Sequence, residues 1–165
     1  MRSEGIMIRT GIGYDSHRFT EGNGVFLGGV YVPFHKTLKG HSDADAVLHA
    51  LIDALLGAVG RGDIGEHFPD TDPEYAGIKS TILLERVMEM IAPPWTVENI
   101  DLVILAEEPK IASYVPEMRG RIASLCGISS SQVSVKGKTN EGMGFIGRGE
   151  GIAVLAAVLI TKGGL

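Results

Sequence analysis

Asp15 and His17 stand two residues apart, and His49 follows on a later segment of the chain. One carboxylate and two imidazoles form a three-ligand set that suits a divalent metal with a coordination position left open for substrate, a catalytic pattern more than a structural one. In an extended chain, residues i and i+2 project to the same side, so Asp15 and His17 can reach one ion together. Residues 41–56, which supply His49, predict a helix with Ser42 as N-cap and Asp45 three residues on. At about 100° per residue, Val47, Leu48, Leu51, Ile52, Leu55, Leu56 and Val59 form a broad apolar face. Asp45, His49 and Asp53 recur at i+4 spacing as a polar stripe along its margin, which puts His49 at the edge of the core. Closed structural zinc sites are rich in cysteine, and Cys126 is the only one here. Taken singly, each fragment matches an ordinary turn acid or a hydrogen-bonded boundary histidine. The conjunction is what points to a metal.

The elements that must hold these residues are marked by period and punctuation. An apolar start containing Ile6 and Ile8 leads through the Asp15 segment to a turn at Gly22, Asn23 and Gly24, and residues 25–32 read as a strand or hairpin arm that Pro33 ends. Residues 60–73 carry many turn formers and no apolar period, which predicts a long exposed loop, and such loops are usually functional. A second amphipathic helix is expected over 79–92, stopped by Pro93 and Pro94. Residues 100–106 are strand-like, a third helix follows residues 109–116 and ends near Gly127, and 133–139 form another strand. Glycines at 142, 144, 147, 149 and 151 make a loop before a final apolar strand from Ile152. The order β-β-α-α-β-α-β-β predicts an α+β fold, a mixed sheet with helices packed on one face.

Composition narrows the function. The chain has 165 residues, 44% of them hydrophobic, enough for a single domain over 1–165 with a real core. The net charge is −5, and no lysine and arginine cluster with interleaved aromatics appears, which argues against a nucleic-acid partner. Residues 1–13 lack the basic start and apolar run of a signal peptide, and the single cysteine suits a reducing compartment, so a cytoplasmic setting is expected. No plastid-type transit peptide is evident. The longest apolar run, residues 152–160, is too short to span a bilayer, so no membrane partner is expected.

Two motifs mislead. Gly142, Gly144 and Gly147 match the dinucleotide fingerprint, but the segment that follows is β-like and the chain ends before the required acid. Gly137-Lys-Thr139 resembles the tail of a Walker A loop, yet Gln132 stands where its first glycine belongs. What survives is a glycine-rich turn with Thr139, Glu141 and Arg148, able to bring backbone N–H groups near phosphate oxygens.

Four blocks, residues 13–19, 41–58, 62–73 and 138–153, resemble in order and spacing the 2-C-methyl-D-erythritol 2,4-cyclodiphosphate synthase family, with the match running from about Ile8 to Lys162. The resemblance implies conversion of 4-diphosphocytidyl-2-C-methyl-D-erythritol 2-phosphate to the cyclic diphosphate and CMP, an intramolecular phosphoryl transfer in the non-mevalonate route to isoprenoids. It implies one Zn2+ held by Asp15, His17 and His49, and a second divalent ion, Mg2+ or Mn2+, held with help from Glu141. His41 and Thr139 would polarise phosphate oxygens in the transition state. Substrate contacts implied near the metal are Asp15, Ser16, His17, His41 and Ser42, with Asp63, Ile64, Gly65, Phe68, Pro69, Asp70, Thr71 and Asp72 on the sugar-alcohol hydroxyls. Ala106, Glu107, Glu108, Pro109, Lys110, Ile111 and Ala112 match the cytidine and phosphate pocket, and Lys138, Thr139, Asn140 and Glu141 the diphosphate. The family is homotrimeric with sites between subunits, and Tyr14, Phe145 and Arg148 match positions lining a central cavity for isoprenoid diphosphates.

Two departures stand out. Lys138 occupies a position that is Thr in many members, which puts a cation beside the diphosphate, and Ile111-Ala112 replaces larger apolar pairs. Residues 1–7 precede the usual family start and are expected to be a frayed extension. A water-attacking nucleotide-diphosphate hydrolase and a trimeric binder without catalysis are the competing readings. The first would not leave both phosphates on the sugar alcohol, and the second has no use for the metal constellation.

Overall fold

A computed structural model describes residues 5–163. Five strands form the main sheet in the order β4-β1-β7-β5-β6. They are β1 (Met7–Glu21), β4 (Lys36–Leu38), β5 (Trp95–Leu105), β6 (Val133–Lys138) and β7 (Gly151–Lys162). Only the β5–β6 pair is parallel, so the sheet is mixed as expected. β2 (Gly24–Leu27) and β3 (Val30–Pro33) form a separate hairpin. Where one arm was expected, Gly28 and Gly29 both adopt positive φ and turn the chain back, which a two-residue hairpin loop requires.

The long strand alternates. From Gly11 to Phe19 of β1 the odd-numbered residues turn inward and the even-numbered ones are exposed. α1 (Ala46–Val59) lies on the inward face and is buried on nearly every side, leaving His49, Asp53 and Gly57 as its open stripe. Two glycines set how close it comes. A Cβ on Gly11 would lie 1.9 Å from the Ala54 carbonyl oxygen, and one on Gly13 would lie 1.9 Å from that of Ala50. Four residues of helix and two of strand both advance about 6 to 7 Å, so the two elements stay in step. The next turn of α1 therefore delivers His49 beside Asp15 and His17.

The start of α1 differs from expectation. Asp45, not Ser42, is the N-cap, and it is fully buried instead of lying on an exposed margin. Its carboxylate accepts from the N–H groups of Val47 and Leu48 at 3.1 Å, and from Gly28 at 2.9 Å and Gly29 at 2.6 Å. One side chain thus caps the helix and ties it to the hairpin turn. Burial drives the Asp45 carboxyl above the usual carboxylate range, against the pull of those N–H donors.

Residues 60–73 are not one loop. They contain the short α2 (Ile64–His67), capped by Asp63, and lead into a 3₁₀ turn at Pro73–Tyr75 capped by Asp72. α3 (Ser80–Ile91) and α4 (Val115–Cys126) complete the helical layer, and Gly127 ends α4 in the left-handed region. A second correction concerns the glycine-rich segment before β7, which contains one helical turn, α5 (Gly144–Gly147). Of the extension expected at 1–7, residues 1–4 lie outside the described residues, while Met7 already pairs with Lys162. No helix among the described residues is long and apolar enough to cross a membrane.

The sheet's other face leaves large apolar side chains open. Ile8, Ile12 and Tyr14 of β1 and Leu155 of β7 project from it with 60%, 76%, 52% and 39% of their surface exposed.

Candidate metal centre

Asp15, His17 and His49 converge. His17 Nε2 lies 2.8 Å from Asp15 Oδ2, His49 Nδ1 lies 3.2 Å from the same oxygen, and the two ring nitrogens are 3.2 Å apart. Tetrahedral ligands about 2.0 to 2.1 Å from an ion stand about 3.3 Å from one another, so the triangle is nearly the size an ion needs. Despite its 2.8 Å approach to His17, Asp15 Oδ2 is buried without a hydrogen bond of acceptable angle. Lone pairs meeting at a common point produce such an oxygen. This cluster is the one metal-capable group of three or more such side chains among the described residues.

The far side of each ring is occupied. His17 Nδ1 is 2.8 Å from the Lys39 carbonyl oxygen, which can only accept, so in the neutral ring the proton sits on Nδ1 and Nε2 faces the centre bare. Burial alone would raise the Asp15 carboxyl, but the two imidazoles outweigh it and hold it below the ordinary range. Burial alone would lower His17, but Asp15 outweighs it and raises the imidazole. Both shifts have one meaning: this centre favours a positive charge. The donor set, one carboxylate and two imidazoles, fits a divalent cation with room for a further ligand.

Beside the centre is a cavity of 460 Å³ lined by His17, His41, Ser42, His49, Ile64, Gly65, Phe68, Pro69 and Asp70 among others. It gathers most of the residues expected near the metal. Asp53 Oδ1 accepts the Ile64 N–H at 2.8 Å, which anchors this loop to α1 one turn beyond His49. Asp53 carried no role in the sequence reading beyond its place in the polar stripe. Its i+4 spacing from His49 was the available signal. Asp63 and Asp72 are occupied as caps of α2 and the 3₁₀ turn, and Thr71 lies between the cavity loop and that turn.

A second cavity of 520 Å³ is lined by Ala106, Pro109, Lys110, Ile111, Ala112, Lys138 and Thr139, with the β5 and β6 side chains behind them. It shares no lining residue with the first. Asp15 pairs with Val154, Val154 with Ile104 and Ile104 with Gly137, so three strand spacings, about 14 Å, separate the two across the sheet. Within one protomer, Glu141 is not part of the metal-capable cluster. Its carboxylate instead accepts the Thr139 hydroxyl at 3.1 Å.

The turn after Thr139 is held from inside. Glu107 Oε1 accepts the N–H of Asn140 at 2.8 Å and of Gly142 at 3.3 Å, and Glu141 between them has φ of 51°, a left-handed conformation that disfavours residues with side chains. The N–H groups expected to cradle phosphate are therefore already taken at these two positions. Glu108 and Arg148 line a smaller pocket of 220 Å³, and Ser16 and Phe145 line another together with His17.

The model of the YgbB family matches residues 8–161. A relative from Neisseria gonorrhoeae, "2-C-methyl-D-erythritol 2,4-cyclodiphosphate synthase", is 53% identical over 156 residues, covering 94% of this chain and 98% of its own. The bifunctional IspDF of Campylobacter jejuni superposes with a TM-score of 0.92 at 38% identity, over 96% of this chain and 43% of that longer one. The Plasmodium falciparum IspF in complex with CDP superposes with a TM-score of 0.83 at 33% identity, over 95% and 97%.

Proposed function

The chain belongs to the YgbB family, and from that membership we propose that it converts 4-diphosphocytidyl-2-C-methyl-D-erythritol 2-phosphate to 2-C-methyl-D-erythritol 2,4-cyclodiphosphate and CMP. This is the cyclodiphosphate synthase step of the non-mevalonate route, and it makes the protein a phosphorus-oxygen lyase. The observation that carries the reading is the convergence of three ligand atoms beside a 460 Å³ cavity, in a chain 53% identical to a synthase of that name.

An oxygen of the substrate's 2-phosphate attacks the β-phosphorus, the bond from that phosphorus to the bridging oxygen breaks, and CMP leaves with it. No protein nucleophile is needed, so the chain's task is positioning and charge stabilisation. Zn2+ held by Asp15, His17 and His49 would polarise the diphosphate, and Mg2+ or Mn2+ near Glu141 would offset its charge. His41 and the Thr139 hydroxyl donate to phosphate oxygens, and Ser42 lies next to them. The loop of residues 63–72 faces the sugar-alcohol hydroxyls. Residues 106–112 enclose the cytosine, with Lys110 and Lys138 toward the phosphates.

The split of the site agrees with an assembly of several copies. Cavities about 14 Å apart across one sheet can serve one reaction when neighbouring copies bring different halves together. The unpartnered apolar face around Ile8, Ile12, Tyr14 and Leu155 offers the surface for such an assembly. The family resemblance supplies the rest of this reading: a homotrimer with sites between subunits, with Tyr14, Phe145 and Arg148 toward a central cavity suited to an isoprenoid diphosphate. A cytoplasmic setting fits this chemistry.

The test is a product analysis. Purified protein with the cytidylyl substrate and magnesium should release CMP and an equal amount of a cyclic diphosphate, seen by phosphorus NMR. A linear phosphate product, or no CMP, would overturn the reading.

A further inference from the structure

We propose that Ser80 and Asp43 are positioning residues of the metal centre, holding the His49 ring so that Nδ1 presents its lone pair alongside Asp15 and His17. The inference rests on the assignment of those three residues as metal ligands and extends it to two side chains outside the ligand set.

A neutral imidazole carries one proton, and the hydrogen bond at its far nitrogen decides which nitrogen that is. For His17 the far partner is a backbone carbonyl, which leaves no choice. For His49 it is a hydroxyl: Nε2 lies 2.8 Å from Ser80 Oγ. A hydroxyl can donate or accept, so Ser80 alone would leave both tautomers open. Asp43 closes that freedom. One of its carboxylate oxygens accepts the Ser80 N–H at 3.0 Å, and the other accepts the Ser80 hydroxyl in a short contact. With its only proton committed to a carboxylate, Ser80 Oγ has just lone pairs to offer His49. Nε2 must then donate, and Nδ1 is bare toward Asp15.

The surroundings preserve this order. Ser80 has none of its surface exposed, so solvent does not compete for its hydroxyl. Asp43 is itself fixed, its N–H donating to the Ile78 carbonyl at 3.1 Å. Ser42 Oγ also approaches His49 Nε2, at 3.1 Å, but among the described residues its proton has no acceptor other than that ring, so it can follow either tautomer without choosing one. The start of α3 thus reaches the metal ligand on α1 through one hydrogen bond, between Ser80 Oγ and His49 Nε2, and Asp43 orients it.

Zinc affinity of the full-length protein, measured by competition with a fluorescent chelator, tests this. Ser80→Ala should raise the dissociation constant by about 10- to 100-fold, the range for outer-sphere partners of a metal-bound histidine, and Ser80→Thr, which keeps the hydroxyl, should restore most of it. Nitrogen-15 spectra of the metal-stripped protein should show His49 protonated at Nε2 in the wild type and a population protonated at Nδ1 in Ser80→Ala. A folded Ser80→Ala with unchanged zinc affinity and an unchanged His49 spectrum overturns the proposal. Should Ser80→Ala not fold, Asp43→Asn decides by the same spectrum: a mixed tautomer supports the proposal and a wild-type one overturns it. His17→Ala separates the two levels of the argument. If it binds zinc like the wild type, the ligand assignment itself fails; if it loses zinc while Ser80→Ala does not, only the positioning role fails.

Discussion

The metal centre and the Thr139 turn are built on opposite plans. Asp15, His17 and His49 sit on a long strand and a buried helix, with the far nitrogen of each ring bound to a partner outside the centre and a carboxylate oxygen left without a donor. Thr139 and Glu141 sit on a turn beyond β6, largely exposed, and satisfy each other. The first region holds its chemistry ready in a single protomer. The second is held in shape by Glu107 but faces nothing in its own chain that it could act on. Rigid elements suit a centre that must favour a cation, because burial strengthens every charge interaction there. A turn suits a group that must meet a ligand arriving from another surface.

The largest expected effect separates ligand loss from everything else. His17→Ala leaves two ligands, so zinc content and turnover should fall together by more than about 100-fold, beyond what loss of an outer-sphere partner costs. Metal analysis and rate measurement on one preparation check this, and full activity in the metal-free variant would break the comparison at its root. Ile12→Asp should split the two regions functionally. Ile12 is 76% exposed in the chain, so the change costs the fold little, yet a charge on the open sheet face should dissociate the proposed homotrimer. Sedimentation should then show a monomer that keeps stoichiometric zinc while turnover drops about 100-fold or more, since positioning across the interface is lost. A monomer with wild-type turnover would show that one chain carries a complete site.

The same two regions differ in how much of them was legible. Ligand spacing on β1 and the apolar period of α1 brought out the metal centre, because a strand's period of two and a helix's period of 3.6 are local properties. What brings His49 to β1 was not legible: Gly11 and Gly13 carry no chemistry, and only the close approach of Ala54 and Ala50 reveals why a Cβ is excluded. Residue type and the spacing to Asp45 favour Ser42 as the cap. Asp45 takes that place because it can also satisfy the hairpin N–H groups, a long-range demand that local patterns do not carry. Residues 60–73 carry only one turn of α-helix, too short a period to be legible among so many turn formers. At the Thr139 turn the glycines are legible, but the partner of the Asn140 and Gly142 N–H groups is not, because Glu107 lies more than thirty residues away.

Glu107→Ala sharpens the contrast by loosening only the second region. Freeing the Asn140 and Gly142 N–H groups removes the contacts that hold Glu141 in its left-handed conformation. Charge-assisted bonds of this kind contribute about 1.5 to 3 kcal/mol each when buried and less in a half-exposed turn, so turnover should fall about tenfold and the magnesium needed for half-maximal rate should rise. Zinc affinity should not move. A parallel loss of zinc would mean that the two regions are coupled inside one protomer.

The smallest effect concerns Lys138, which lines the second cavity together with Lys110 and Thr139. Its side chain is exposed, so any attraction to a diphosphate acts through high dielectric and is screened by salt within about 10 Å at 0.1 M. Exposed ion pairs contribute about 0.2 to 1 kcal/mol, which converts to a rise in KM of about 1.4- to fivefold in Lys138→Thr at low salt. That difference should shrink as salt rises, with kcat unchanged, because a charge that binds substrate and transition state alike alters only KM. A KM that is the same for both proteins at every ionic strength would remove Lys138 from the site. A fall in kcat would instead move it into the group that acts on the transition state, making the turn more than a surface for holding phosphate.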